Sequence, residues 1–63
     1  MNFSTWISSL RLEEAKRLMQ SDKNMKLEDI AFAVGFSSLS YFSKVFSRLE
    51  GTTPSAWLRE RMR

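Results

Sequence analysis

Residues 30–46 read I-A-F-A-V-G-F-S-S-L-S-Y-F-S-K-V-F and decide the fold of this 63-residue chain. Apolar residues recur at helical spacing on both sides of a Gly-Phe-Ser-Ser break: Leu27, Ile30, Ala31 and Val34 before it, and Phe42, Val45, Phe46 and Leu49 after it. Gly35 lies in the break, and glycine most easily takes the left-handed backbone that ends one helix and lets the next leave at a steep angle. The pattern predicts two helices joined by a tight turn, which is the helix-turn-helix arrangement.

A long first helix is predicted from about residue 3 to residue 20, with Asn2 or Ser4 as its N-cap. Its apolar residues form two groups roughly 140° apart around the helix: Phe3, Trp6, Ile7 and Leu10, and then Leu12, Ala15, Leu18 and Met19. This division predicts a linker helix whose two halves pack on two different bodies, and the chain supplies only one of these bodies. The alternative is a helix wrapped entirely by its own small core.

The helix-turn-helix is expected to span residues 27–50, with its second helix over residues 38–50 and either Ser37 or Ser38 as the cap of that helix. A Thr-Pro pair at residues 53–54 predicts a closing helix over residues 53–62, because proline suits the first turn of a helix. The expected architecture is an all-α, four-helix fragment that forms a single domain over residues 1–63. In it a long linker helix is followed by a helix-turn-helix and a short closing helix, in a homeodomain-like three-helix unit.

The composition excludes several classes of function. The sequence has no Cys and no His, and its acidic residues are scattered. We therefore expect no metal site, no cofactor, no small-molecule ligand and no enzymatic activity. No apolar run approaches the roughly 18 residues of a membrane helix, and no signal-peptide pattern opens the chain. We therefore expect a cytoplasmic protein with no membrane partner.

The net charge of +3 comes entirely from the part of the chain from Lys44 to its end. Basic and acidic residues balance before that point, whereas five basic residues face two acidic ones after it. A basic second half suits contact with phosphate groups. The alternative is a solvated surface that ends in a basic tail.

If the apolar stripe of the second helix of the helix-turn-helix points inward, Ser40, Ser43 and Lys44 point outward. Small hydroxyl side chains let a helix approach the major groove of DNA and bond to base edges or phosphates, and a lysine reaches a guanine edge or a phosphate. Leu39 is expected to touch a thymine methyl group. Hydroxyl groups at the starts of the last two helices are expected to hold phosphates: Ser37, Ser38, Thr53 and Ser55.

Residues 29–46, with the following G-T-T-P-S-A-W, resemble the C-terminal signature of the AraC/XylS family of bacterial transcription regulators. The preceding W-I-S-S-L-R-L-E-E-A-K-R-L-M resembles the linker helix of that family. The resemblance implies a DNA-binding domain in which two helix-turn-helix units, joined by the linker helix, read successive segments of the major groove. This chain would supply the linker helix, the second unit and the closing helix, and would lack the first unit.

The resemblance also implies roles for individual residues. Base-edge contacts would fall on Leu39, Ser40, Ser43 and Lys44, and phosphate contacts near Ser38, Arg48 and residues 53–55. The chain departs from the family pattern at Leu58, where the family often has Arg, at Lys26, where a Ser or Thr cap is common, and at Leu39, where a polar residue is common.

An alternative function is a helical protein-interaction or dimerisation module that uses the apolar face of Phe3, Trp6, Ile7 and Leu10. A missing first helix-turn-helix unit or another subunit would cover this face. The two interpretations are compatible, since the apolar face need not overlap the surface that binds DNA.

Overall fold

A computed structural model of the chain describes residues 2–22 and 24–61. These residues form four α-helices and no strand: α1 (Phe3–Ser21), α2 (Leu27–Ala33), α3 (Leu39–Glu50) and α4 (Pro54–Arg61). The predicted all-α fold is confirmed. The predicted bounds differ by one residue at several ends, largely because the cap residues Ser38 and Thr53 were counted within their helices. The predicted last position of the closing helix, residue 62, lies outside the described residues.

Side-chain caps fix the starts of α1 and α3. The backbone N–H of Thr5 donates to Asn2 Oδ1 at 2.8 Å, so Asn2 rather than Ser4 is the N-cap of α1. Likewise the backbone N–H of Tyr41 donates to Ser38 Oγ at 3.1 Å, which makes Ser38 the cap of α3. Each cap satisfies a backbone donor that the helix itself leaves free.

The turn between α2 and α3 is a Schellman motif built on Gly35. This glycine has φ +104°, in the left-handed region that favours glycine, and its N–H donates to the carbonyl oxygen of Phe32 at 3.1 Å. The N–H of Phe36 then donates back to the carbonyl oxygen of Ala31 at 2.9 Å, and the Phe36 ring is buried. The glycine and the buried ring therefore fix the angle at which α3 leaves α2, and the role of Gly35 is the one that the sequence predicted. The start of α2 has no side-chain cap, because Lys26 occupies the N-cap position.

A row of aromatic rings forms the centre of the core and joins the turn to α3 and α4. Phe36 meets Phe42 at 5.3 Å between ring centroids, Phe42 meets Phe46 at 5.8 Å, and Phe46 meets Trp57 at 6.1 Å, each pair edge to face. The second half of α1 and the inner face of α2 pack against this row through Leu12, Ala15, Met19, Ile30 and Ala31.

Lys16 ties α1 to the end of α3. Its Nζ lies 2.9 Å from Glu13 Oε1 and 3.1 Å from Glu50 Oε2, and 5.9 Å from the centroid of the Trp57 ring. Burial alone would lower the pKa of Lys16, but the two carboxylates together raise it above its usual value. This ion-pair cluster closes the end of the core opposite the turn. Within residues 2–22 and 24–61, no helix is both long enough and apolar enough to cross a membrane.

Candidate nucleic-acid interface

Helix α3 has one buried face and one polar exposed face. Phe42, Val45 and Phe46 are buried, while Ser40, Lys44 and Arg48 are exposed along the opposite side. The Gly35 turn and the Ser38 cap fix the position of this helix. Its outer face is therefore presented at a defined angle, which is the property a rigid reading helix needs.

The four predicted base-contact residues differ in how far they are exposed. Ser40 and Lys44 are exposed and lie one helical turn apart, and Ser43 lies beside them with its side chain half-buried. Leu39 is also half-buried and packs against the core. Part of the Leu39 side chain is therefore committed to packing inside the protein, and only the remainder is accessible to a thymine methyl group.

The predicted phosphate-contact residues form two groups at the starts of α3 and α4. Ser37 and Ser55 are exposed, whereas Ser38 and Thr53 act as caps, the latter accepting from the N–H of Ala56 at 3.1 Å. A capping hydroxyl accepts through its oxygen and still has its own hydrogen to donate. Both caps therefore keep a donor for an anion. Arg48, the remaining predicted phosphate contact, is exposed near the end of α3.

Ion pairs hold several basic side chains elsewhere on the chain. Lys16 bonds to Glu13 and Glu50, and Arg17 bonds to Glu14, where mutual hydrogen bonding lowers the pKa of Glu14 and raises that of Arg17. In the described part of the chain, no carboxylate lies within ion-pair distance of the Lys44 or Arg48 side chain; the ion pairs found there are the three above. The positive charges on α3 are therefore available to an external anion.

Two further residues, Tyr41 and Arg11, lie at the edge of this face, and the sequence patterns indicated a contact for neither of them. Tyr41 is half exposed beside the Phe36 ring, with 5.9 Å between ring centroids. The Arg11 guanidinium lies over that same Phe36 ring, with Cζ 5.8 Å from its centroid. Arg11 comes from α1, far away in sequence, and no local pattern indicated that it reaches the helix-turn-helix turn.

The first half of α1 presents an apolar surface that nothing in the described chain covers. Phe3, Trp6 and Leu10 are 74%, 50% and 49% exposed, and the Phe3 and Trp6 rings pack on each other at 6.0 Å. Ile7 lies between them and is half-buried. We call Phe3, Trp6, Ile7 and Leu10 the N-terminal apolar face. All buried residues of α1 lie in its other half, as the two-sided sequence pattern predicted.

The fold and the polar face of α3 define a helix-turn-helix domain of the DNA-binding class, and a helix-turn-helix domain family matches residues 1–60. The virulence regulon transcriptional activator VirF of Yersinia enterocolitica is 46% identical over 50 residues, which cover 79% of this chain and 18% of that protein. The transcriptional activator RhaR of Klebsiella pneumoniae is 38% identical over 63 residues, covering 100% of this chain and 22% of that protein. No solved structure matches the chain.

This chain belongs to the AraC/XylS family of bacterial transcription regulators. The YesN regulator of Bacillus subtilis is a further relative, 36% identical over 59 residues that cover 92% of this chain and 16% of that protein. The chain spans only 15% to 22% of the length of such curated relatives. The family resemblance stated from residues 29–46 and the linker-helix motif is thereby confirmed.

Proposed function

We propose that this chain binds double-stranded DNA with α3 in the major groove, as the second helix-turn-helix unit of a bacterial transcription regulator. The observation that carries the proposal is the outer face of α3, where Ser40, Ser43 and Lys44 lie opposite the buried phenylalanines. Such a regulator works where the bacterial chromosome lies, so the proposal implies a cytoplasmic protein.

The small side chains on this face let the α3 backbone approach the base edges closely. A major groove about 12 Å wide admits one helix with its side chains, and serines add little to the helix diameter. Lys44 is the long donor at the centre of the face and reaches a guanine edge or a phosphate. Ser40 and Ser43 donate to or accept from base edges, and Leu39 contributes its exposed part to a thymine methyl group.

The phosphate contacts are assigned to groups that flank α3. Ser37 and Ser38 lie at its start, Arg48 near its end, and Thr53 and Ser55 at the start of α4. Such contacts fix the position and orientation of the protein on the duplex but carry no sequence information. One unit with few phosphate contacts is expected to bind with an affinity close to the nonspecific range, on the order of 10⁻⁴ to 10⁻⁶ M at physiological salt.

The test is a titration of the 63-residue chain with duplex DNA at low salt, followed by NMR. Backbone amide signals of residues 37–44 are expected to shift, whereas those around Arg17, an exposed residue of α1 that is already paired with Glu14, are expected to stay in place. Lys44→Ala should reduce the affinity without changing the fold. Absence of any shift in residues 37–44 would rule out this function for the chain.

A second proposal concerns the N-terminal apolar face. Contiguous exposed aromatic and aliphatic groups are usually covered by a partner, and here the Phe3 and Trp6 rings and Leu10 form one such surface. We propose that a first helix-turn-helix unit or another subunit packs on it. This interface and DNA binding are compatible functions of one chain.

Sedimentation of the isolated chain at high concentration tests the second proposal. Self-association is expected, and Trp6→Asp is expected to abolish it without loss of helix content. Phe32→Asp is the matched control, since Phe32 is a similarly exposed aromatic residue that lies on α2 rather than on α1. A chain that associates equally well after Trp6→Asp contradicts the use of this face, and a chain that stays monomeric contradicts its use by a second copy of the chain.

A further inference from the structure

Arg11 lies directly on the turn of the helix-turn-helix, although it belongs to the linker helix. A Cβ added to Gly35 would come within 3.1 Å of Arg11 Nε, so the guanidinium occupies the space that the missing glycine side chain leaves open. The same group lies over the Phe36 ring, with Cζ 5.8 Å from the ring centroid. The Arg11 side chain is exposed, and its head group lies beside the turn that leads into α3.

An open groove of about 270 Å³ begins at this guanidinium. Besides Arg11, its walls are Tyr41 from α3 and four residues from the first half of α1: Phe3, Ser4, Ile7 and Ser8. Tyr41 lies three residues before Lys44 in α3, and residues at that spacing are neighbours on a helix surface, so the groove borders the polar face of α3. Among the described residues, no carboxylate lies within ion-pair distance of Arg11. The groove therefore combines a cation without a carboxylate partner among the described residues with hydroxyl-bearing and apolar side chains.

A helix in the major groove is flanked on each side by a phosphate strand, and a cation beside such a helix meets the DNA backbone before it meets a base. Arginine suits this contact, because its planar guanidinium binds two phosphate oxygens at once. We propose that Arg11 binds a backbone phosphate of DNA at the mouth of this groove. The inference rests on the proposed insertion of α3 in the major groove, and it gives the linker helix a direct part in DNA binding.

Salt dependence separates a phosphate contact from a structural role. Each phosphate neutralised adds about 0.9 to the slope of log affinity against log salt concentration. Arg11→Gln should therefore lower the magnitude of that slope by about 0.9. The ratio of the DNA affinity of the unmodified chain to that of the variant should then shrink roughly threefold between 50 and 200 mM salt. The weakening should be similar for duplexes of unrelated sequence, and Arg11→Lys should restore most of the slope.

Arg17→Gln is the matched control, because it removes the same charge from the same helix at a residue already paired with Glu14. It is expected to leave the slope unchanged. A measurement on the unmodified chain needs no variant: the Nε–H NMR signal of Arg11 should shift on addition of DNA, while that of Arg17 should not.

The outcomes distinguish this inference from the function on which it rests. If the unmodified chain binds DNA and Arg11→Gln keeps its full salt slope, the phosphate contact is refuted and the proposed function stands. An equal loss of slope in Arg17→Gln would also refute it, since the effect would then be one of overall charge. If the unmodified chain fails to bind DNA at all, the proposed function itself fails.

Discussion

Phe46 is the residue whose removal tests the core most directly. Its side chain is 0% exposed, and its ring lies between Phe42 and Trp57 in the row of edge-to-face contacts. Phe46→Ala removes the ring that joins α3 to α4 and leaves a cavity in the centre of the domain. The helices around it can close that space only in part, because their own side chains are already packed together.

The expected loss is comparable with the entire stability of the chain. Truncation of a buried phenylalanine to alanine costs about 3–5 kcal/mol of unfolding free energy. Domains have roughly 0.05–0.15 kcal/mol of stability per residue, which gives about 3–9 kcal/mol for a chain of this length. Because a single core in a chain of fewer than about 70 residues rarely supplies more than about 3–5 kcal/mol, the lower part of this range applies. Phe46→Ala is therefore expected to leave the domain mostly unfolded or close to its unfolding transition at room temperature.

Urea unfolding followed by far-ultraviolet circular dichroism measures this loss. Phe46→Leu is the graded variant, because it keeps part of the buried volume and should fall between the unmodified chain and Phe46→Ala. Phe3→Ala is the matched control at a residue that is mostly exposed, and its cost is expected to stay within about 0.5 kcal/mol. A loss below about 1 kcal/mol for Phe46→Ala would refute the placement of Phe46 at the centre of the core.

Three further predictions follow from the caps and charges. Lys44→Ala should change the unfolding free energy by less than about 0.5 kcal/mol while weakening DNA binding, and unfolding of this variant in circular dichroism would show that the inward and outward faces of α3 were misassigned. Ser38→Ala removes the α3 cap and should cost about 1 kcal/mol in a urea titration, with Ser37→Ala as a near-neutral control. The pKa of Lys16 is higher in the folded chain than its usual value of 10.5, so its ion pairs stabilise the fold fully at pH values below 10.5. This contribution is lost as the pH rises through the higher folded pKa. The midpoint temperature of thermal unfolding should therefore fall in that pH range, and it should fall less steeply in Lys16→Met.

Most of the fold could be predicted from local sequence patterns. Gly35 at the break, Phe42 and Phe46 at helical spacing, and the Thr-Pro pair each act within a few residues, so a sequence pattern states them directly. The same spacing also predicts that Leu39 is partly buried, because it lies three residues before Phe42 and seven before Phe46 and is thus on their side of α3. Its partial burial against the core follows from that register.

Contacts between distant segments could not be predicted in this way. Periodicity tells which side of α1 is buried, but it does not tell which turn of a neighbouring helix each residue meets. The contact of Arg11 with the Gly35 turn, and the ion pair between Lys16 and Glu50, depend on how α1 crosses α3. For that reason the phosphate-contact residues predicted from sequence all lie after residue 36, although the groove beside α3 takes one wall from α1.

The two halves of α1 have different tasks, and Arg11 lies where they meet. The fully buried residues of α1 begin at Leu12, so residues 3–10 gain little support from the core of the helix-turn-helix. A helix segment without packing is marginal by itself in water. A partner on the N-terminal apolar face would therefore stabilise the helical form of residues 3–10, which form the wall of the groove at whose mouth Arg11 lies. We expect such a partner to raise the affinity of the chain for DNA, and Arg11→Gln to remove part of that gain.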